Sequence, residues 1–230
     1  MSTFHDTLET RDPAEREAAL MAALPAQIAH AQKHSGAYAS LLAGVDAAAV
    51  NSRAALARLP VVRKHELLER QKASRAAGGD AFGGFAAVLR GPAMTRIFAS
   101  PGPIYEPEGS GRDYWRTARA LHAAGFRAGD LVHNSFSYHM TPGAFILEAG
   151  ALALGCTVFP AGTGQTEQQL DALRDLRPSA YTGTPSFLRI LIEKAAEAGL
   201  PLSITKASVG GEACPPSLTA WFKDHGVDVY

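Results

Sequence analysis

Four short stretches of this chain gather residue types from which a site for a polar small molecule can be built. They are Ser100 to Gly109 (SPGPIYEPEG), Asn134 to Gly143 (NSFSYHMTPG), Ala161 to Thr166 (AGTGQT) and Gly210 to Ala213 (GGEA). Together they hold glycines, hydroxyls, a tyrosine, a histidine and an acid, a mixture suited to a polar ligand with an aromatic or acyl part. His139 has an imidazole that titrates near neutrality, so it reads either as a general base or as a packing residue beside a pocket. Glu212 reads as functional, because an acid following two glycines at a strand end is seldom only structural.

None of the four is a standard nucleotide fingerprint. No GxxxxGK[ST] occurs, and no GxGxxG follows a strand. Gly162-Thr163-Gly164 is the nearest approach, but Glu167 stands where the third glycine would fall, and a turn feeding a capped helix explains it as well.

The elements that must position these stretches follow from the period of the sequence. Up to about residue 80 the chain reads as short helices: Ala14 to Ala23 and Ala26 to Lys33 separated by Pro25, then Tyr38 to Leu42, Asn51 to Arg58 and Lys64 to Ala77. From Met94 the pattern becomes strand, turn, helix. Met94 onward is a strand running into the Ser100 loop, Ser110 to Asp113 resembles a capping box, and Tyr114 to Ala124 is the helix it would open. Strands follow at Leu131 to Asn134, Cys156 to Pro160, Ala180 to Thr182, Ile204 to Val209 and Val227 to Tyr230, each joined to the next by a helix. That alternation predicts parallel crossovers and an α/β fold with a mostly parallel sheet and flanking helices. The organisation expected is a helical segment, residues 1–80, packed on an α/β core, residues 81–230. Ligands of such sheets gather outside the carboxyl ends of the strands, where the strand-to-helix loops lie. The last strand has no return element, so the chain reads as the front part of a longer protein.

Composition narrows the partners. The chain has 230 residues, 47% of them hydrophobic, with 22 basic and 22 acidic side chains. That is enough to bury a core, and the balanced charge without a basic run argues against nucleic acid. Cys156 and Cys214 lack metal or disulfide spacing and read as small buried residues, with no metal site implied. No charged-then-apolar leader and no long apolar run is seen, which points to a cytoplasmic protein without a membrane partner.

Five stretches occur in an order and at spacings similar to phenylacetate-CoA ligases, members of the adenylate-forming superfamily of acyl-CoA synthetases and luciferases. They are Leu59 to Lys64 (LPVVRK), the Asn134 to Gly143 loop with Tyr138, Gly164 to Gln169 (GQTEQQ), Thr184-Pro185-Ser186, and Gly210-Gly211-Glu212. The resemblance implies the N-terminal part of an AMP-forming acid-CoA ligase. Such an enzyme joins a carboxylic acid to AMP from ATP with Mg2+, releases pyrophosphate, and transfers the acyl group to coenzyme A. It also implies a phosphate cradle at Ser100 to Pro107 and an adenine and acyl pocket lined by Gly210, Gly211 and Glu212. Tyr138, His139, Thr141 and Gly143 would border the acid, an aromatic one among the options. A catalytic lysine would lie on a C-terminal lid domain absent from this chain, which alone would then be inactive. A homodimer is open.

Two departures qualify this. The family loop carries consecutive threonines and a lysine, whereas this chain has Pro101, Pro103, Glu106 and Glu108, which remove N–H donors and add negative charge. Ser100, Gly102 and Tyr105 are left to form a modified cradle. Thr141 stands where the phenylacetate enzymes have an aromatic residue, suggesting a more polar acid pocket. The alternatives are a degenerate, non-catalytic binding protein of the same fold, or an adenylating enzyme with another acyl acceptor.

Overall fold

A computed structural model describes residues 3–230. The chain divides into two compact units, Asp6–Ser110 and Gly111–Tyr230, the latter taking in the described residues up to His5.

In the first unit, α1 (Pro13–His34) starts at Asp12, whose carboxylate accepts from Ala14 N at 2.8 Å, with Pro13 at the first helical position. Pro25 does not split it: the two expected helices are one. An internal proline costs about 3 kcal/mol, but alanines on both sides favour the helix, and Ile28 anchors it in a cluster with Leu42, Val50 and Ala55. Helices α2 (Gly36–Leu41), α3 (Arg53–Leu56) and α4 (Lys64–Ala76) follow.

The Met94 stretch differs from a strand running into a ligand loop. It is an antiparallel hairpin, β1 (Met94–Ser100) with β2 (Ile104–Gly109), turned at Pro101-Gly102-Pro103. The unit boundary falls after Ser110, whereas the sequence reading put it after residue 80. The reason is local: the buried Gln71 side chain of α4 accepts from Tyr105 N and donates to Tyr105 O, both at 2.9 Å, fastening the hairpin to the helix. Arg75 lies over the Tyr105 ring at 5.2 Å.

The second unit is a parallel α/β sandwich. Its strands are β3 (Leu131–Asn134), β4 (Thr157–Phe159), β5 (Ala180–Gly183), β6 (Lys206–Val209) and β7 (Asp228–Val229), in the order β4-β3-β5-β6-β7. Every pairing is parallel, as the sequence period implied. The helices are α5 (Ala118–Ala123), α6 (Gly143–Leu154), α7 (Thr166–Leu176), α8 (Pro185–Glu197) and α9 (Pro216–Asp224). Successive strand residues point to opposite faces, and the core divides accordingly. Ala180 packs with Leu121 of α5 and Ala151 of α6, while Tyr181 packs with Leu173 of α7, Leu188 of α8 and Phe222 of α9.

Helix α5 is shorter than the sequence suggested. Asp113 does not sit at the third helical position but caps the helix, accepting from Thr117 N at 2.8 Å. With Asp113 and Arg116 both at positive φ, residues 111–117 turn instead of coiling. At the amino end of the sheet, Asp130 meets Lys206 at 2.8 Å, Ser179 Oγ at 2.8 Å and Arg127 N at 2.7 Å. Burial alone would raise the Asp130 pKa, but these partners outweigh it and hold the carboxyl below its usual range. Cys156 is buried and its thiol is pushed up to about 11, chiefly by burial, whereas Cys214 is only half-buried; both are free. No helix among the described residues is long and apolar enough to cross a membrane.

Candidate functional site

The strand order reverses direction at β3: the chain moves outward to β4, then crosses back to β5 on the other side. In open parallel sheets a crevice opens at that switch, outside the carboxyl ends of the two strands. Here the turns leaving β3, β5 and β6 are stitched side by side. Ser135 N donates to Thr182 O at 2.8 Å, Ser135 Oγ donates to Tyr181 Oη at 2.6 Å, and Gly210 N donates to Gly183 O at 3.1 Å. A side chain at Gly183 would overlap Ser135 Oγ and the Tyr181 phenol, so only glycine lets the turns close up.

Phe136, whose residue type gave no functional signal, belongs to the turn after β3 and lies against the turn after β6. A methyl group at Gly143, Gly210 or Gly211 would sit 3.9, 3.9 and 3.7 Å from its ring. Glycines from two places far apart in the sequence, Gly143 and the Gly210-Gly211 pair, thus lie against one aromatic side chain. Gly211 has φ +82°, which a glycine adopts without strain.

Tyr138, half-buried in the same turn, accepts from Asn134 Nδ2 at 2.9 Å and donates to Glu148 Oε2 on α6 at 2.6 Å. Burial, then Glu148, push its phenol far above the ordinary range. Glu148 was also passed over, although its signal was present. Residues 144, 148 and 151 form one stripe of α6; Ala144 and Ala151 are buried, and Glu148 is the one charged residue of that helix.

His139 is exposed, and only its backbone has partners: its N–H donates to Ser137 Oγ, and its carbonyl accepts from Thr141 N. Glu212 is exposed too, and its carboxylate accepts from Ser186 N at 2.6 Å; hydrogen bonding from the Ser186 side chain, then from its backbone, holds the Glu212 pKa below the usual range. It therefore caps α8 and joins two of the sequence motifs, Gly210-Gly211-Glu212 and Thr184-Pro185-Ser186. On the other face, the buried His133 donates through Nε2 to Gln169 Oε1 at 2.7 Å. Gln169 Nε2 donates to Gly162 O and Gly164 O, which fixes both tautomer and amide orientation. Burial keeps His133 neutral, with Nδ1 unpartnered.

The hairpin in the first unit offers less. Ser100 Oγ donates to Ile104 O at 3.4 Å, Tyr105 has both main-chain groups bound to Gln71, and Pro101 and Pro103 have no N–H. Gly102 (φ +149°) turns the tip. A separate cleft of about 400 Å³ opens where the Leu59 to Lys64 run enters α4, lined by Tyr38, Arg63, Lys64, Phe85, Ile104 and Glu106 among others.

Comparison with known proteins decides the family. The chain is 32% identical to the phenylacetate-coenzyme A ligase of Aromatoleum evansii over 174 residues, 73% of this chain and 37% of that protein. It is also 32% identical to the Thermus thermophilus enzyme of the same name over 182 residues, 74% of this chain and 38% of the enzyme. The chain is a homologue of the phenylacetate-CoA ligases. Solved structures of a 2-hydroxyisobutyryl-CoA ligase show the same adenylate-forming fold. One, in an open conformation with 2-HIB-AMP and CoA, matches at 28% identity and TM-score 0.80, covering 94% of this chain and 49% of that one. Another, in the thioesterification state, matches at 27% identity and TM-score 0.83, covering 99% and 51%. No family model matches. The chain thus spans well under half the length of these curated relatives and about half of the solved ligase.

Against that family the two candidate regions fit unequally. The turns around Phe136 suit the acyl side of an adenylate: a flat ring, small residues beside it and polar groups nearby. The hairpin offers a polyphosphate fewer donors: Ser100 Oγ and the Tyr105 main chain are already bound, and two prolines lack an N–H. Among the described residues no group of three or more His, Cys, Asp or Glu side chains could hold a metal ion.

Proposed function

We propose that this chain carries the acid-binding side of an AMP-forming carboxylic acid-CoA ligase. The reaction of the whole protein would join the acid to AMP from ATP, with Mg2+, and then pass the acyl group to coenzyme A. In this reading Phe136 and the glycines at 143, 210 and 211 receive the acid's carbon skeleton, with Tyr138 and Thr141 at its border. Ser135, Tyr181 and Gly183 hold the turns in place. Gly210 and Gly211 leave room for a flat base, whereas Glu212 acts on the protein by holding the start of α8.

The observation that carries the reading is the meeting of the turns after β3 and β6 on the Phe136 ring, beside the switch point of the sheet. The names of the relatives support a ligase over a non-catalytic binding protein. The donor-poor hairpin is the one feature that favours the latter.

Calorimetric titration of the 230-residue chain with small aliphatic and arylacetic acids tests this. Saturable binding of at least one acid is expected, weakened about tenfold or more in Gly211→Val, whose added bulk meets Phe136 at a backbone angle unfavourable to valine. Absence of binding by every acid, or equal binding by that variant, overturns the placement.

A further inference from the structure

Two polar groups, on Tyr138 and Glu148, are wired so that they can only accept. Asn134 is fixed at both ends by main chain: its Nδ2 donates to Ala144 O at 3.0 Å, and its Oδ1 accepts from Phe136 N at 3.2 Å. A carbonyl cannot donate and an amide N–H cannot accept, so the side-chain amide cannot flip. Its second Nδ2 hydrogen therefore goes to Tyr138 Oη, and the tyrosine's single proton goes to Glu148 Oε2. What remains unbound on Tyr138 is a lone pair, and on Glu148 the second carboxylate oxygen, Oε1. Both residues are half-buried and keep accessible surface.

We propose that Tyr138 and Glu148, with Asn134 as positioning residue, form an acceptor-only reader that selects a carboxylic acid bearing a hydroxyl or ammonium donor on its skeleton. This rests on the acid-binding reading above and narrows its substrate class. An unsubstituted acid would strip water from two acceptors and return nothing, whereas a donor-bearing acid restores the lost bond. Such recognition discriminates better than packing does, because the penalty falls on buried groups left unpaired. The orientation originates in the backbone, so it does not depend on the ligand's arrival.

The test uses two matched pairs of probes with the 230-residue chain: 2-hydroxyisobutyrate against isobutyrate, and 4-hydroxyphenylacetate against phenylacetate. In at least one pair the hydroxy acid should bind about tenfold or more tightly than its parent. In Glu148→Gln, whose amide can turn a donor toward the ligand, the preference should fall to about threefold or less, with the melting temperature little changed. Should that variant fail to fold, Tyr138→Phe removes one of the two acceptors and should lower the preference about threefold or more. Equal affinity within both pairs overturns the reader while leaving the acid site standing. A preference that survives both substitutions also overturns it. Binding by none of the four acids removes the acid site and the reader with it.

Discussion

The hairpin tip at Ser100 to Ile104 and the turns at the carboxyl edge of the sheet look alike as sequence: each is short, glycine-bearing and dotted with polar side chains. As structure they are opposites. At the tip the polar groups answer one another, Ser100 to Ile104 and Tyr105 to Gln71, and the prolines supply no donors. At the sheet edge the bonds hold three turns together but leave an aromatic face, a phenol lone pair and a carboxylate oxygen unengaged. A candidate site is therefore told from a structural turn less by its residue types than by which of their bonding positions are already filled.

The contrast can be broken most sharply at Gly183. Gly183→Ala places a methyl group against Ser135 Oγ and the Tyr181 ring, and should cost about 3 kcal/mol in urea unfolding, with loss of acid binding. An alanine that folds normally would show that the turns are not tightly assembled. Gln71→Ala tests the other side. Removing both bonds to Tyr105 should destabilise the protein by about 2 kcal/mol while acid affinity at the sheet edge stays within about twofold of the parent. A parallel loss of affinity would show that the hairpin takes part in the site.

The smallest effect is expected at the amino edge of the sheet, where Asp130 is paired with Lys206. The folded-state pKa of Asp130 is lowered, so its contribution is complete above the unfolded value of about 3.9 and is lost as pH falls through the lower folded value. Asp130→Asn should therefore reduce stability by about 1.5 kcal/mol at pH 7 and flatten the acid limb of the stability–pH curve. An unchanged acid limb would mean that the pair contributes nothing.

Much of the fold could be read from the sequence, because parallel crossovers repeat one pattern that period and caps make visible. The five sheet strands and α6 through α9 fall where the apolar runs and proline or glycine stops put them. The hairpin could not be read the same way. Its second strand, Ile104 to Gly109, carries a proline and two acids, and it is strand only because β1 and Gln71 supply partners distant in sequence. Spacing alone suggests a capping box at Ser110 and a longer α5, whereas Asp113 caps at a different offset. At the site, Tyr138 and the glycines at 143, 210 and 211 were found by type, but Phe136 gained meaning only through contacts across turns. Glu148 needed no structure: one acid on the buried stripe of an apolar helix is a signal that a stricter reading of helical period would have caught.

Glu212 has a mechanical consequence. Because its carboxylate grips the first turn of α8, the turn after β6 and the entrance to α8 cannot swing apart independently. A molecule entering beside Phe136 meets one jointed lip instead of two separate ones. Acidification that neutralises this side chain would weaken the joint.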